Sequence, residues 1–120
     1  MGQALVQTKY YTFSQNNSGG WFAYDFFAGI GQKVIVEAID RDHAVARAKQ
    51  IGLYFDGRGD CVGCCGYRWS EPWDEDGTAG PEIYGETIEE YLDGGWAYGP
   101  SGEGEKQVFV HLTTGQILAY

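Results

Sequence analysis

The fold is decided by residues 33–69, which read KVIVEAIDRDHAVARAKQIGLYFDGRGDCVGCCGYRW. Alternating branched apolar residues predict a β-strand over 34–38, and apolar residues spaced by three and four positions predict a helix over Arg41–Ile51. A second short strand is predicted over 53–55, before a loop rich in glycine and cysteine. This order predicts a strand–helix–strand unit, with the helix packed against a β-sheet.

The predicted helix carries a signal at each end. Asp40 is a good N-cap, because its carboxylate can accept hydrogen bonds from the free amides of the first turn. Ala44, Ala48 and Ile51 fall on one face, which predicts a buried stripe. Gly52 follows and favours the left-handed backbone that ends many helices. Both boundaries of the helix are therefore predicted.

Two hairpins are predicted outside this stretch. Aromatic and branched residues over 4–13 and over 21–27 predict two strands, which the polar segment between them would join as an antiparallel hairpin. Strands over 108–112 and 117–120 are predicted to form a C-terminal hairpin, with Gly115 in its turn.

The stretch between these elements has two parts. Residues 56–85 have no periodicity and many glycines, which predicts a long irregular segment ordered by its own aromatic rings or by a metal. Thr87 and Glu90 have the spacing of a capping box and predict a short second helix. The sum is an α+β fold: a single domain over 1–120, with a mainly antiparallel sheet of about five strands, one main helix and one short helix.

Composition and charge restrict the classes of partner. The 120 residues suit one domain, and 17 acidic against 8 basic residues give a formal net charge of −9. Nucleic-acid phosphates would be repelled, so no nucleic-acid partner is expected. An acidic surface suits solubility, a basic protein partner or mimicry of the charge of DNA. Since no apolar run approaches the roughly 20 residues of a membrane span and no signal pattern opens the chain, we expect a cytoplasmic protein without a membrane partner.

Three cysteines within five positions are the best candidates for chemistry: Cys61, Cys64 and Cys65. In a reducing cytoplasm they indicate a metal site or free thiols before a disulfide. A tetrahedral zinc site needs a fourth ligand, for which the candidates are His111, His43 and Asp60. The alternative is that the thiols pack the glycine-rich loop against Trp69. A redox pair is the third interpretation, although no helix follows Cys64 as it does in thioredoxin-like proteins.

Aromatic and acidic side chains follow the cysteines. Arg68 and Trp69, with Trp73 close behind, are residue types that dominate protein interfaces. The acidic run that comes next is Asp74, Glu75 and Asp76. These six residues are the predicted binding surface. The alternative is that both tryptophan rings belong to the core of the irregular segment.

No catalytic residue is predicted. A cysteine nucleophile would need a histidine base and an orienting group, and nothing in the spacing brings His43 or His111 to the thiols. An enzyme or a small-molecule-binding protein would need a concave pocket, for which the candidate wall residues are Tyr10, Trp21, Tyr54 and Trp96.

Four segments together resemble a family of small uncharacterised proteins of tailed bacteriophages. They are YTFSQNNSGG over 11–20, the strand and helix that begin at 34, GLYFDG over 52–57, and the cysteine loop DCVGCCGYRW over 60–69. The resemblance covers most of the chain, and the string SQNNSGG is its most specific part. It implies a phage origin and a place of action in the cytoplasm of a bacterial host or in the virion. It implies no activity.

The expected function is therefore non-enzymatic: a phage accessory protein that binds a bacterial host protein through its acidic and aromatic surface. The first alternative is a virion component, such as a capsid decoration or a tail accessory, since an edge strand over 4–13 could add to a neighbouring sheet. The second is a small-molecule-binding protein or an enzyme of unknown reaction. The expected partner is a host or virion protein, assembly into a homo-oligomer is left open, and zinc is the one cofactor that the pattern admits.

Overall fold

The computed structural model describes residues 7–15, 25, 27–55, 69–70, 72, 76–83, 85–93 and 108–120. Within these residues the chain forms seven strands and two helices. In chain order they are β1 (Lys9–Gln15), β2 (Lys33–Ala38), α1 (Arg41–Ile51), β3 (Trp69–Ser70), β4 (Glu82–Ile83), β5 (Glu86–Thr87), α2 (Ile88–Asp93), β6 (Val108–His111) and β7 (Ile117–Ala119). The predicted α+β class is confirmed. Neither helix of this described part has the length and apolar character needed to cross a membrane.

Five of the strands form one sheet in the order β3-β1-β2-β6-β7, and β4 and β5 form a separate two-stranded sheet. Neighbouring strands of the larger sheet are antiparallel, except β2 and β6, which are parallel. The sheet is therefore mainly antiparallel, as predicted. The C-terminal hairpin is confirmed as β6 and β7, and Gly115 lies in its turn with φ of 94°.

In the described residues β1 pairs with strands other than the one predicted over 21–27, most of which lies outside them. Its neighbours in the sheet are β2 along most of its length and β3 at its C-terminal end. Of the segment 21–27 the structure describes Asp25 and Phe27, and Asp25 forms an antiparallel bridge with Ile30. Because β2 and β3 lie on its two sides, β1 is an internal strand, and the expectation that it is an edge strand is wrong.

The strand predicted over 53–55 is not formed. Both edges of β2 are occupied, by β1 and by β6, so this segment has no place beside β2 in the sheet. Leu53 is buried in the core instead, and the ring of Phe55 packs on that of Phe13 with 5.8 Å between the centroids. The strand that follows α1 and pairs in parallel with β2 is β6, so β6 completes the strand–helix–strand unit. Parallel neighbours need a long crossover connection, and the chain between β2 and β6 provides it.

The predicted helix boundaries are confirmed by their caps. The carboxylate of Asp40 accepts the backbone N–H of His43 at 2.8 Å, and Gly52 ends α1 with φ of 128°. At α2 the backbone N–H of Thr87 donates to Oε1 of Glu90 at 2.9 Å, and the N–H of Glu90 donates to Oγ1 of Thr87 at 3.1 Å. Local side-chain chemistry therefore sets where both helices begin.

The larger sheet is buried on both faces, because alternate residues of a strand point to opposite sides. One face, the α1 face, carries α1 over a core that includes Phe13, Val34, Val36, Ala44, Ala48 and Trp69. The opposite face, the α2 face, is covered by α2 and the β4–β5 pair over a second core that includes Ile35, Ile83, Ile88, Tyr91, Val108 and Val110.

Candidate functional site

A cavity lies on the α1 face, beside the helix. A helix with its side chains is about 10–12 Å across, whereas five strands spaced by about 4.8 Å extend over roughly 20 Å. Since α1 packs on β2, it does not extend over the part of the sheet formed by β6 and β7. The cavity there has a volume of about 300 Å³ and is lined by Ala28, Arg47, Gln50, Ile51, His111 and Ile117.

The helical wall of the cavity carries a cation. Arg47, Gln50 and Ile51 are three and four positions apart, so they share one flank of α1. A guanidinium stays protonated in proteins and presents its N–H donors in a planar fork. Among the described residues no carboxylate forms an ion pair with Arg47. This flank therefore offers a positive charge to whatever enters the cavity.

The sheet wall is built around His111 of β6, which is 2% exposed. Its Nε2 lies 2.8 Å from the carbonyl oxygen of Gly29. Because a carbonyl can only accept, Nε2 carries the proton and Nδ1 keeps its lone pair, for which the described residues provide no partner. Burial lowers the pKa of His111; the bond to Gly29 opposes this change and the charge of Arg47 adds to it. The imidazole is therefore neutral at neutral pH.

The approach of Gly29 to this imidazole requires a glycine. Its φ is +75°, and a Cβ there would lie 2.7 Å from Cε1 and 2.8 Å from Nε2 of His111. The same Cβ would lie 3.0 Å from Cγ2 of Ile117. The turn that presents Gly29 is closed by two backbone hydrogen bonds between Asp25 and Ile30, of 3.0 and 2.9 Å. The ring of His111 is thus held between this turn and the sheet.

Apolar side chains lie at and near the cavity, whose lining has three apolar and three polar residues. Ile117, on the edge strand β7, is 43% exposed. Phe27 precedes Ala28 of the lining and is fully exposed. Small-molecule sites combine apolar surface with polar groups that orient a ligand, and this lining contains both.

The α2 face has the opposite electrostatic character. Residues 76–93, which we call the acidic layer, contain six acidic residues and no lysine or arginine: Asp76, Glu82, Glu86, Glu89, Glu90 and Asp93. Among the five whose side chains the structure describes, three are exposed, namely Asp76, Glu89 and Glu90. On the other face, α1 has three basic residues and one acidic residue. Residues 76–93 are therefore uniformly acidic, whereas α1 carries mixed charges with a basic excess.

The acidic layer is attached to β1 by hydrogen bonds. Tyr10 and Thr78 exchange two backbone hydrogen bonds of 2.9 Å. The hydroxyl of Thr12 donates to the carbonyl oxygen of Glu82 at 2.6 Å. The hydroxyl of Thr78 also donates to the carbonyl oxygen of Gly80 at 2.6 Å. These bonds hold the backbone of this segment against β1.

Two of the six residues predicted as a binding surface lie in the described part of the chain. Trp69 is 3% exposed and belongs to the core of the α1 face. The prediction that it lies on a binding surface is therefore wrong, and the structure has the alternative, in which its ring is part of the core. The reason is that Trp69 begins β3 and pairs with Gln15 at the end of β1. Asp76 is exposed in the acidic layer. The other four lie outside the described residues: Arg68, Trp73, Asp74 and Glu75.

The zinc prediction rests mainly on residues outside the described part: Cys61, Cys64, Cys65 and Asp60. His43 lies at the start of α1, with Nδ1 2.8 Å from Oδ1 of Asp40. His111 is buried against Gly29. Within the described ranges no group of three or more His, Cys, Asp or Glu residues could hold a metal ion. Zinc binding stays a prediction.

The cavity itself is not signalled by the sequence. Its lining does not include Tyr10 or Tyr54, and Trp21 and Trp96 lie outside the described residues. The helical periodicity assigns Arg47 to the solvent side of α1, and Gly29 is 82 positions from His111. The one local hint is that Arg47 and Gln50, two polar residues with hydrogen-bond donors, share a flank of the helix.

The fold and its two faces define an α+β domain with a cavity of small-ligand size on one side of the sheet and an acidic layer on the other. The chain belongs to the family described as Domain of unknown function (DUF7296), whose model matches residues 8–120. The match includes every strand and both helices of the described part. No curated protein and no solved structure matches the chain.

Proposed function

We propose that this domain is a non-enzymatic binding protein of phage origin, whose acidic layer engages a basic segment of a bacterial host protein in the host cytoplasm. The observation that carries the proposal is the charge of residues 76–93, in which six acidic residues stand without a lysine or arginine. Carboxylates gathered on one side of a molecule raise its rate of encounter with a basic partner and orient the complex. The resemblance to tailed-phage proteins supplies the setting.

The order of this layer supports the same proposal. The hydrogen bonds between Tyr10 and Thr78 and from Thr12 to Glu82 hold its backbone on β1. Binding costs less conformational entropy when the contact surface is already ordered. The acidic layer can therefore present its exposed carboxylates to a partner without a large rearrangement.

The test compares carboxylates on the two sides of the sheet. The variant Asp76→Asn/Glu89→Gln removes two negative charges from the acidic layer, and the control Asp25→Asn/Asp42→Asn removes two exposed charges from outside it. Each variant is incubated with host lysate at low and at high salt, and the retained proteins are quantified by mass spectrometry. We expect host proteins that are retained by the wild type and the control at low salt, and that are released by high salt and by the first variant. Retention of nothing at either salt concentration, or equal loss in both variants, contradicts the proposal.

A virion component is the second candidate function. β1 gives it no support, since both of its sides are paired, but β7 is an edge strand and exposes Ile117. An edge strand can add to the sheet of a neighbouring subunit. Mass spectrometry of purified particles separates the two candidates: a fixed number of copies per particle favours the virion component, and absence from the particle favours the host-binding protein.

Zinc binding at the cysteines is a further part of the proposal that rests on residue type and spacing. Elemental analysis of the pure protein, combined with its native mass, measures metal content and oligomeric state together. One zinc ion per chain supports the site, and a metal-free, folded protein removes it.

A further inference from the structure

The cavity beside α1 points to a ligand of its own, on the side of the sheet away from the acidic layer. We propose that it binds a small aliphatic monocarboxylate, whose carboxylate pairs with Arg47 and whose hydrocarbon contacts Ile51 and Ile117. This inference does not depend on the proposed function, because it concerns other residues and another face of the sheet.

The first step concerns size and wall chemistry. A volume of about 300 Å³ lies at the small end of the range for ligand sites, about 300–1,000 Å³. Ala28, Ile51 and Ile117 provide aliphatic surface and no described aromatic side chain lines the cavity. A ligand with a short saturated chain can therefore bury its hydrocarbon against these side chains.

The second step concerns charge. Arg47 has no carboxylate partner among the described residues, and Gln50 adds an amide on the same flank of α1. A guanidinium and a carboxylate match as a two-pronged pair of hydrogen bonds, which is stronger than a neutral pair. None of the lining residues belongs to the acidic layer, and exposed charges more than about 10 Å apart are largely screened at 0.1 M salt.

The third step limits the ligand to one negative charge. His111 is the remaining polar residue of the wall. Its Nε2–H is already donated to Gly29 at 2.8 Å, and its Nδ1 has only a lone pair, so the ring offers an anion no free donor. Burial keeps this imidazole neutral, so it adds no second positive charge to the cavity. A monoanion is balanced by Arg47, whereas a dianion would leave one charge without a partner.

The test uses butyrate and butyramide, two probes of nearly the same shape that differ in charge. Each is titrated into the isotope-labelled full chain, and backbone amide shifts are followed by nuclear magnetic resonance. We expect saturable shifts at Ala28, Gln50 and His111 with butyrate, and none at Glu89 or elsewhere in the acidic layer. Butyramide should bind about tenfold more weakly, because it lacks the charge-assisted pair.

The variant Arg47→Gln has Lys49→Gln as its matched control. Both remove one exposed positive charge from α1, so the net charge changes equally, but only Arg47 lines the cavity. Arg47→Gln should lower the affinity for butyrate about tenfold and leave that for butyramide unchanged, whereas Lys49→Gln should change neither. The melting temperature of each variant is measured alongside.

Three results would overturn the inference. Butyrate and butyramide could bind with equal affinity, Lys49→Gln could weaken butyrate binding as much as Arg47→Gln, or no saturable shift could occur at the highest soluble probe concentration. The comparison of the two probes on the wild type does not depend on the folding of any variant. All three results leave the pull-down experiment on the acidic layer untouched, so failure here and failure of the proposed function are distinguishable.

Discussion

Replacing Gly29 with alanine tests the geometry of the cavity's sheet wall. The new Cβ would lie 2.7 Å from Cε1 of His111, 2.8 Å from Nε2 of the same ring and 3.0 Å from Cγ2 of Ile117. His111 is held in place, since its Nε2 donates to the carbonyl oxygen of Gly29 itself and its side chain is buried. The backbone of Gly29 also has φ of +75°, which residues with a Cβ rarely adopt.

Two costs contribute to the expected loss of stability. A left-handed backbone costs a residue with a Cβ about 1 kcal/mol. Forcing an extra carbon atom into a packed site costs about 2 kcal/mol. The free energy of unfolding should therefore fall by about 3 kcal/mol in Gly29→Ala, which for a domain of this size lowers the melting temperature by about 12 °C.

The chain offers two controls for the backbone cost alone. Gly85 and Gly115 have φ of 81° and 94°, and a Cβ at either position would have no atom within 4 Å. Gly85→Ala and Gly115→Ala should each cost about 1 kcal/mol. Urea unfolding followed by tryptophan fluorescence gives the free energy for all three variants. If Gly29→Ala loses no more than the two controls, then His111 does not pack against Gly29 and the described wall of the cavity is wrong.

Three further substitutions test other contacts. Glu37 accepts hydrogen bonds from Thr8 and Thr113, and these bonds lower the pKa of its carboxyl group. The stability that the carboxylate contributes is therefore fully present above the unfolded-state pKa of about 4.3. It is lost as the pH falls through the lower folded-state pKa. Glu37→Gln should therefore cost about 1 kcal/mol near neutral pH and much less at about pH 3, as urea unfolding at both pH values would show. Burial lowers the pKa of His111 in the folded chain. Below about pH 6.5 the unfolded chain therefore binds a proton that the folded chain does not. The free energy of unfolding should decrease as the pH falls from there towards the folded-state pKa. His111→Gln should remove this slope of at most about 1.4 kcal/mol per pH unit, which melting temperatures between about pH 5 and 7 would measure. Trp69→Ala should cost about 4 kcal/mol in urea unfolding, as expected for a buried ring, and a loss below about 1 kcal/mol would place the ring at the surface.

Helix α1 could be predicted from the sequence because its determinants are local. Asp40 accepts the N–H of His43 three positions away, and Gly52 takes the positive φ that its position favours. The capping box of Thr87 and Glu90 is local in the same sense and also formed as expected. Contacts within four positions depend on the residues themselves, so the pattern alone predicts them.

The pairing of the strands could not be predicted in the same way. β2 lies between β1 and the distant β6, and the competition for its two edges excludes a strand over 53–55. The burial of the second face of the sheet could also be predicted only in part. Ile35 stands between Lys33 and Glu37, a pattern that predicts a half-covered face, yet Ile35 is fully buried because α2 and β4 pack over it. The stem of Lys33 is buried too, and its Nζ lies 6.0 Å from the centroid of the Tyr91 ring.

The cavity could not be predicted for a related reason. It forms because the sheet is wider than the single helix that packs on it, and no local sequence pattern encodes these two widths. The electrostatic effect of the acidic residues on an anion in the cavity depends on the salt concentration. Helices α1 and α2 lie on opposite sides of the sheet. Packed layers are spaced by about 10 Å, so two spacings exceed the Debye length of about 8 Å at physiological ionic strength. At physiological ionic strength the proposed basic partner and the proposed small anion would therefore be attracted mainly by the charges nearest to each of them. At about 0.01 M salt the Debye length reaches about 30 Å, so the net charge of −9 would act on both faces and oppose an anion at the cavity.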